Sequence, residues 1–460
     1  MDFSVEEMLN RPEDQWFERK AFGIQQKDLA KAIIAFANAE GGMIVVGIKD
    51  RKVEGQASAT LDNKLRQTPI EFTDPTVRCD VSVIETTHAN GNPAQLYCFH
   101  IQASERVHYR VDGECFLRVG DQSHSLGPDE ILELRYSKGE QLFDAQPVAG
   151  TSLADLNSTD VDSYAYMIGS TSGIDALRAR GLMSHNGTPT VASHLLFGTE
   201  VPQRFPNAHI RVLKFAEPDR LPGRYQQLLD DKRFEGTLPE QLESARTAIL
   251  SMLPRVTRLG DNGKFIEETM IPPDAWLEGL VNAVIHRSYS ISGDHIRFEI
   301  FPDKIVISSP GRFPGLADPR NPESIARFAR NPHIARVACE LRIGQELGEG
   351  IRRIFREMRS VGFLDPVYQQ THGSVVLTLQ AVRRLSNEQL SELPAHSEAV
   401  LEALQKSAIP MSTRQVADSI DVSVPSARKA LQALRDAKII LWNGNSPRDP
   451  RATWSVPDRL

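Results

Sequence analysis

The sequence predicts a multidomain protein of mixed α/β (α+β) class, and three observations carry that prediction. Segments of helical periodicity, such as Gln26 to Asn38, alternate with short apolar runs of strand length, such as Met43 to Val46. Glycine pairs and proline-rich turns separate these segments. At 460 residues the chain is also too long for a single core, since about 150 residues per domain gives roughly three domains.

Composition narrows the class. Apolar residues make up 40% and charged residues 25%, which is ordinary for a globular protein. No stretch approaches the roughly 18 consecutive apolar residues of a membrane span, so no membrane partner is expected. The N-terminus, MDFSVEEML, is acidic and lacks the basic start and apolar centre of a secretory signal, so a cytoplasmic location is expected. The four cysteines are widely spaced without a CxxC pair, which predicts ordinary thiols rather than a disulfide framework or zinc ribbon. A net charge of −7 argues against coating nucleic acid with the whole surface and leaves that task to local basic patches.

Residues 1–140 read as one α/β domain. In QKDLAKAIIAFAN, Leu29, Ile33, Phe36 and Ala37 repeat on one helix face, and Gly41-Gly42 turns the chain into the strand MIVVGIKD. Further strands are expected at Val81 to Glu85, Gln95 to Ile101 and Cys115 to Val119. The phrases FERK, AFANAEGG and VVGIKD together resemble the Schlafen-type AlbA-like domain over about 40 residues. That resemblance implies nucleic-acid binding and, in some members, a metal-dependent nuclease built on three carboxylates. Glu13, Glu18 and Asp50 are the positions that match such a trio, with Lys20 nearby. Clustered carboxylates hold a hard divalent cation against a phosphate. The alternative is structural, with Glu18 and Lys20 pairing with neighbours on a strand face.

Residues 141–255 are expected to be a linker and helical bridging segment. Periodicity weakens from Lys138 to about Asp160, a strand is expected at His209 to Phe215, and a helix capped near Thr237 follows.

Residues 256–382 form the next expected domain, organised around WLEGLVNAVIHRSY. Leu277, Leu280, Val281, Val284 and Ile285 make an apolar stripe, and Glu278, Asn282 and His286, at i, i+4 and i+8, make a polar one beside it. A strand pair follows (His295 to Phe301, Lys304 to Ser308), then SSPGRFPG and RNPHIARVACELRIGQELGEGIRRIF. These features resemble the Bergerat (GHKL-type) ATP-binding fold, an α/β sandwich, in its divergent branch of RecG-like C-terminal domains. The resemblance implies ATP or ADP with Mg²⁺ as cofactor. Asn282 then holds the Mg²⁺ that bridges nucleotide phosphates, and Glu278 orients the attacking water. Gly311 and the turn Gly348-Glu349-Gly350 let backbone amides approach phosphate at a helix start. Arg352 and Arg353 there, with Arg330, Asn331 or Arg336, supply charge-assisted contacts. His286 is assigned either a phosphate contact or a place at the helix C-terminus. The chain departs from the family at Ser308 to Arg312, where the aspartate that reads the adenine amino group is missing, so the base recognised stays open. There is no Walker A sequence and no helicase motor motif.

Residues 395–460 resemble a winged helix-turn-helix: three short helices, then a hairpin between Trp442 and Trp454. Ser423, Ser426, Arg428, Lys429 and Arg435 are the expected DNA contacts, with Arg448 and Arg451 on the wing. From Ser412 to Ala452 there are seven basic and four acidic residues, a mildly basic unit in an acidic chain. No heptad seam is visible, and homo-oligomerisation stays open.

The sequence therefore predicts a bacterial-type, nucleotide-binding and DNA-binding transcriptional regulator, with RNA as a further partner, in which ATP or a related nucleotide biases domain arrangement. The alternative is a Schlafen-type nuclease acting on RNA or DNA, as in defence, with a divalent metal on Glu13, Glu18 and Asp50.

Overall fold

The computed structural model describes residues 3–455 except 89, 221–222, 224–226, 260–264, 314–318, 325–327, 345–348, 372, 383–392, 407–409, 438 and 445–451; side chains of 256–268 and 405–406 also lie outside the description. Gly348, Arg448 and Arg451 fall among the undescribed residues.

The N-terminal unit is built on a four-stranded sheet of β1 (Phe17–Lys20), β2 (Gly42–Val46), β3 (Cys79–Thr87) and β4 (Pro93–Ile101), in the order β1-β2-β4-β3. β1 runs parallel to β2, and the other pairs are antiparallel. Helix α1 (Gln26–Asn38) covers one face because its apolar positions recur at helical spacing; Leu29, Ile33, Ile34 and Phe36 are fully buried. Asn38 ends the helix by more than propensity. Its amide nitrogen donates to the carbonyls of His108 and Phe116, each at 2.9 Å, and its oxygen accepts from the His108 N–H at 2.8 Å. Gly41 follows at φ +75°, where a β-carbon would lie 2.6 Å from the Ile101 carbonyl, so only glycine turns the chain there. A hairpin, β5 (Phe116–Val119) with β6 (Gln122–Ser125), leads into α2 (Pro128–Lys138).

The second unit contains α3 (Ser158–Met167), α4 (Val191–Phe197), β7 (Ile210–Phe215), β8 (Leu228–Phe234), α5 (Leu238–Met252), α6 (Pro273–Ile285), β9 (Ile296–Ile300), β10 (Lys304–Pro310), α7 (Pro332–Glu340), α8 (Gly350–Ser360), β11 (Val367–Gln370) and β12 (Ser374–Gln380). Its six-stranded sheet has the order β8-β7-β9-β10-β12-β11. β7 is parallel to β9 and every other pairing is antiparallel. Residues 141–255, expected to bridge two domains, instead contribute β7 and β8 to this sheet. One continuous core runs from Leu156 through Leu379. Strand β7 buries Ile210 and Val212 completely and could not stand alone in a linker. A sequence boundary drawn on periodicity misses this, because β7 and β9 pair across more than 80 residues.

Helix α6 lies flat on the sheet. A β-carbon at Gly279 would fall 2.8 Å from a Leu377 methyl and 2.9 Å from an Ile307 methyl, so the glycine sets how closely the helix approaches. Trp276, 1% exposed, packs edge-on against Phe298 of β9 with ring centroids 5.9 Å apart.

The last unit has three helices, α9 (Ser397–Lys406), α10 (Thr413–Ser419) and α11 (Val424–Asp436), and a two-stranded ribbon of β13 (Leu441–Asn443) and β14 (Thr453–Ser455), in which Trp442 opposes Trp454. Ser412 and Ser423 cap α10 and α11 through their hydroxyls. Val400, Leu404, Val416, Leu431, Leu434 and Trp454 form its own core. Among the described residues, no helix is long and apolar enough to cross a membrane.

Asn38→Ala leaves the Phe116 carbonyl and the His108 N–H buried without partners and the His108 carbonyl with only the weak Cys115 thiol donor at 3.5 Å, and is expected to cost about 3 kcal/mol in denaturant unfolding of the full chain. Asn38→Asp restores only the acceptor and should fall close to the alanine variant.

Candidate functional site

The polar stripe of α6 faces the start of α8. Gly350 opens α8, and a β-carbon there would overlap Glu278 Oε1 and lie 3.2 Å from Asn282 Nδ2. No side chain fits between the two helices at this point. Glu278 and Asn282 therefore meet a helix N-terminus, where unpaired backbone amides and the helix dipole favour an anion. Arg353, one turn into α8, pairs with Asp274 at 3.1 Å and faces the same recess. Arg352 points elsewhere and donates to the Glu323 carbonyl at 2.9 Å. Of the two arginines expected there, only Arg353 lines the site.

Several nitrogen atoms along this stripe are buried without a hydrogen-bond acceptor: Asn282 Nδ2, His286 Nδ1, and Nε and Nη1 of Arg330. Arg330 is 2% exposed and sits beside Gly311, whose φ of +118° and close approach to Arg330 and Ser288 exclude any side chain. Its nearest carboxylate, Glu133, is 3.7 Å away, too far for a hydrogen bond. Burial lowers the Arg330 pKa to about 10, which still leaves it charged at neutral pH. Burial, with the Arg330 charge, lowers His286 to about 4, so its imidazole is neutral. His286 closes the C-terminus of α6, its backbone N–H bonded to the Asn282 carbonyl. Asn331 is already committed: it donates to the Ile285 and Arg287 carbonyls, both at 2.8 Å. Arg336 pairs with Glu340 at 3.5 Å.

Glu278 carries a carboxyl pushed upward by burial, an effect that the Arg353 charge partly offsets. The recess it shares with Asp274, Glu349, Gly350 and Arg353 is about 390 Å³. That lies within the roughly 300–1,000 Å³ range of small-ligand sites. Three carboxylates beside one helix N-terminus fit a phosphate that brings its own cation better than a bare anion.

The three N-terminal carboxylates are not brought together. Glu18, 5% exposed, is enclosed by Arg118 at 2.7 Å and by Lys20. Arg118 is itself fully buried, stacks over Phe36 at 4.7 Å and donates to the Asp14 carbonyl. Glu13 accepts from the Arg19 N–H at 3.1 Å. Asp50 is exposed on a turn with φ +49°. Among the described residues, no group of three or more His, Cys, Asp or Glu side chains is placed to hold a metal ion. The pairing of Glu18 with Lys20 is the strand-face arrangement that alternation on FERK suggests.

In the last unit, Arg428 and Lys429 are exposed on α11. Ser426 lies beside the Ser423 cap, and Arg435 is paired with Asp436 at 2.7 Å.

Sequence reasoning missed the residues that join the units. Glu40, in the AFANAEGG phrase, is nearly buried and accepts from Gln15 at 2.6 Å, from Gln370 at 2.7 Å and from Arg312. Glu133 of α2 accepts from the hydroxyls of Ser288 and Ser290. The fully buried Asp144 receives the N–H groups of His333 at 2.8 Å and Ile334 at 3.2 Å, capping α7. Their partners in the second unit lie between 155 and 330 residues away along the chain, so no local pattern marks them. Above these contacts a cleft of about 1300 Å³ opens between the units; Trp16, with Arg320 stacked at 4.1 Å, forms one wall, and Glu133 and Arg312 line another part.

These features define a protein in which an AlbA-like domain is docked on an ATPase-like α/β sandwich. In particular, the chain carries a domain matching the family "Schlafen, AlbA_2" at residues 13–127 and one matching "Putative ATP-dependent DNA helicase recG C-terminal" at residues 293–379. The first family is of nucleic-acid-binding type and the second ATPase-like. The second match begins after α6, so Glu278 and Asn282 join that domain through the fold. No curated protein matches the chain significantly. A solved structure, the DIP2311 protein from Corynebacterium diphtheriae, is similar at 21% identity over 96% of this chain and 92% of that one, with a TM-score of 0.44.

Because burial raises the Glu278 pKa, the folded state holds this proton more tightly than the unfolded chain. The associated stability is present below the ordinary value of 4.5 and is lost as pH rises through the folded value. Glu278→Gln is therefore expected to melt above wild type at neutral pH, the gap closing below pH 4.5 in thermal scans.

Proposed function

We propose that this protein is a nucleotide-responsive, DNA-binding regulator, with RNA as a second class of target. The observation that carries the reading is the row of buried, unpartnered nitrogens that begins at Asn282, beside the N-terminus of α8, and continues through His286 to Arg330 at the Gly311 turn. Buried donors without acceptors are costly, and a nucleotide's phosphate oxygens are the acceptors that satisfy them. Asn282 is the residue that would hold Mg²⁺, which supplies screening of phosphate charge when bound. Glu278 stands beside it and can accept a proton from water. Arg330 and the α8 amides hold the anion, and Gly350 and Gly311 keep the backbone close.

The residues at Ser308 to Arg312 supply no carboxylate to read adenine, so selectivity among bases rests on shape. Ser309 is occupied with the Ala283 carbonyl at 2.7 Å. Nucleic-acid binding is assigned to the AlbA-like domain and to the last unit, read as a winged helix presenting Arg428 and Lys429 on α11. Glu40 links the first of these to the nucleotide site, because its partner Arg312 follows Gly311 directly. Nucleotide that displaces the 311–312 turn thus acts on the domain contact, which is how occupancy biases domain arrangement.

Titration calorimetry with ATP, ADP and GTP in Mg²⁺ should give measurable heat for at least one nucleotide, lost at least about tenfold in Asn282→Ala, the scale of one charge-assisted contact. No heat with any of the three would sink the proposal. Glu278→Ala should retain binding and lose any steady phosphate release. A second experiment addresses coupling: nucleotide should shift wild-type affinity for DNA by about five- to 150-fold, the usual allosteric range, whereas Glu40→Gln binds both ligands and loses the shift.

A further inference from the structure

The six-stranded sheet ends at β8, and among the described residues no strand pairs with its outer edge. A seven-residue open edge is a ready template for another strand, and natural proteins usually blunt it. Here Leu228 is 40% and Leu229 61% exposed. The loop before β8 does not shield them where it is described, since Asp219 reaches Lys304 at 2.8 Å and Arg220 reaches Glu299, both toward β9 and β10.

The strand reads Leu-Leu-Asp-Asp-Lys-Arg-Phe, with apolar ends, acidic residues before its middle and basic ones after. An antiparallel pairing of this strand with itself sets opposite charges and apolar ends against one another. We propose that two copies of this chain associate edge to edge through β8, merging their sheets into one across a two-fold axis at Asp231. A continuous pleat requires directly opposed residues to point to the same face, so the axis must pass through a residue position. At Asp231 it places Asp230 opposite Lys232 twice and brings each Leu228-Leu229 end to the Phe234 end of the other copy. The two Asp231 carboxylates then face each other, but each is already neutralised by the bidentate Arg211 at 2.6 and 2.8 Å. An axis at Lys232 would oppose two lysines that have only a 3.5 Å contact to Asp230, and would set Asp230 against Phe234. A bulge at the β8 end, where Lys214 pairs with Asp230 and Phe215 with Leu228, leaves Asp230–Phe234 as the regular stretch.

The contact is β-augmentation by a second copy, with backbone bonds giving affinity and the charge order giving register. A strand-sized interface stays below about 1,200 Å², which places the dimer in the weak class. Sedimentation equilibrium of the full chain from about 1 to about 100 µM, a span suited to that class, should show a concentration-dependent dimer. Asp230→Lys and Lys232→Asp should each sediment as monomers, weakened at least about tenfold by like charges directly opposed. Mixed in equal amounts, the two variants should dimerise again, and so should the double variant Asp230→Lys/Lys232→Asp. These two arms also separate lost pairing from lost folding, because an unfolded variant could not be rescued by its counterpart. A monomeric wild type, undisturbed dimers in both single variants, or no rescue on mixing overturns the proposal.

Discussion

The close approach of α6 to the sheet at Gly279 is the constraint on which the rest of the second unit depends. With Ile307 and Leu377 pressed against that glycine, the helix has one depth and one rotation. Its apolar stripe fills the core through Trp276, Leu280 and Val284, and Glu278, Asn282 and His286 are turned toward α8 and the 330s segment. A larger residue at Gly279 would lift the helix from the sheet and rotate the polar stripe away from Gly350. The site thus follows from packing, with polar groups carried to a buried position because the apolar ones beside them demand it.

Burying those polar groups has a cost that the fold leaves outstanding. Asn331 is satisfied by two carbonyls at the end of α6, whereas Arg287, equally buried, donates through Nη2 to the carbonyls of Asn207, Ile291 and Asp294 and leaves its Nε without a partner. Arg330, Asn282 and His286 keep unpaired nitrogens within the same few turns. The N-terminal domain shows the opposite outcome. Glu18, one of the three carboxylates that the resemblance to nuclease members singles out, is enclosed by Arg118 and Lys20.

The domains are joined by charge as well as by apolar contact. Glu40, Glu133 and Asp144 all lie on the N-terminal side of the joint and all take donors from the second unit. Removing a partner from a nearly buried pair such as Glu40–Arg312 leaves an uncompensated charge, worth about 3–5 kcal/mol in comparable cases. Such a joint has few alternative arrangements.

Much of this was legible in the sequence. The 3.6-residue period marked α1 and α6, alternation and apolar runs marked β4, β9 and β10, and the i, i+4, i+8 spacing placed Glu278, Asn282 and His286 on one stripe, because these patterns depend only on neighbours along the chain. FERK and AFANAEGG pointed to the AlbA-like domain, and SSPGRFPG to a glycine turn that Gly311 indeed makes at positive φ. Tertiary structure alone decided the rest. It recruited β7 and β8 into the second sheet, chose Arg353 over Arg352 for the recess, committed Asn331 to a helix end and drew Glu40 to Arg312. Each of those outcomes depends on which distant groups arrive at the same place, and a donor's availability is known only once its neighbours have been counted.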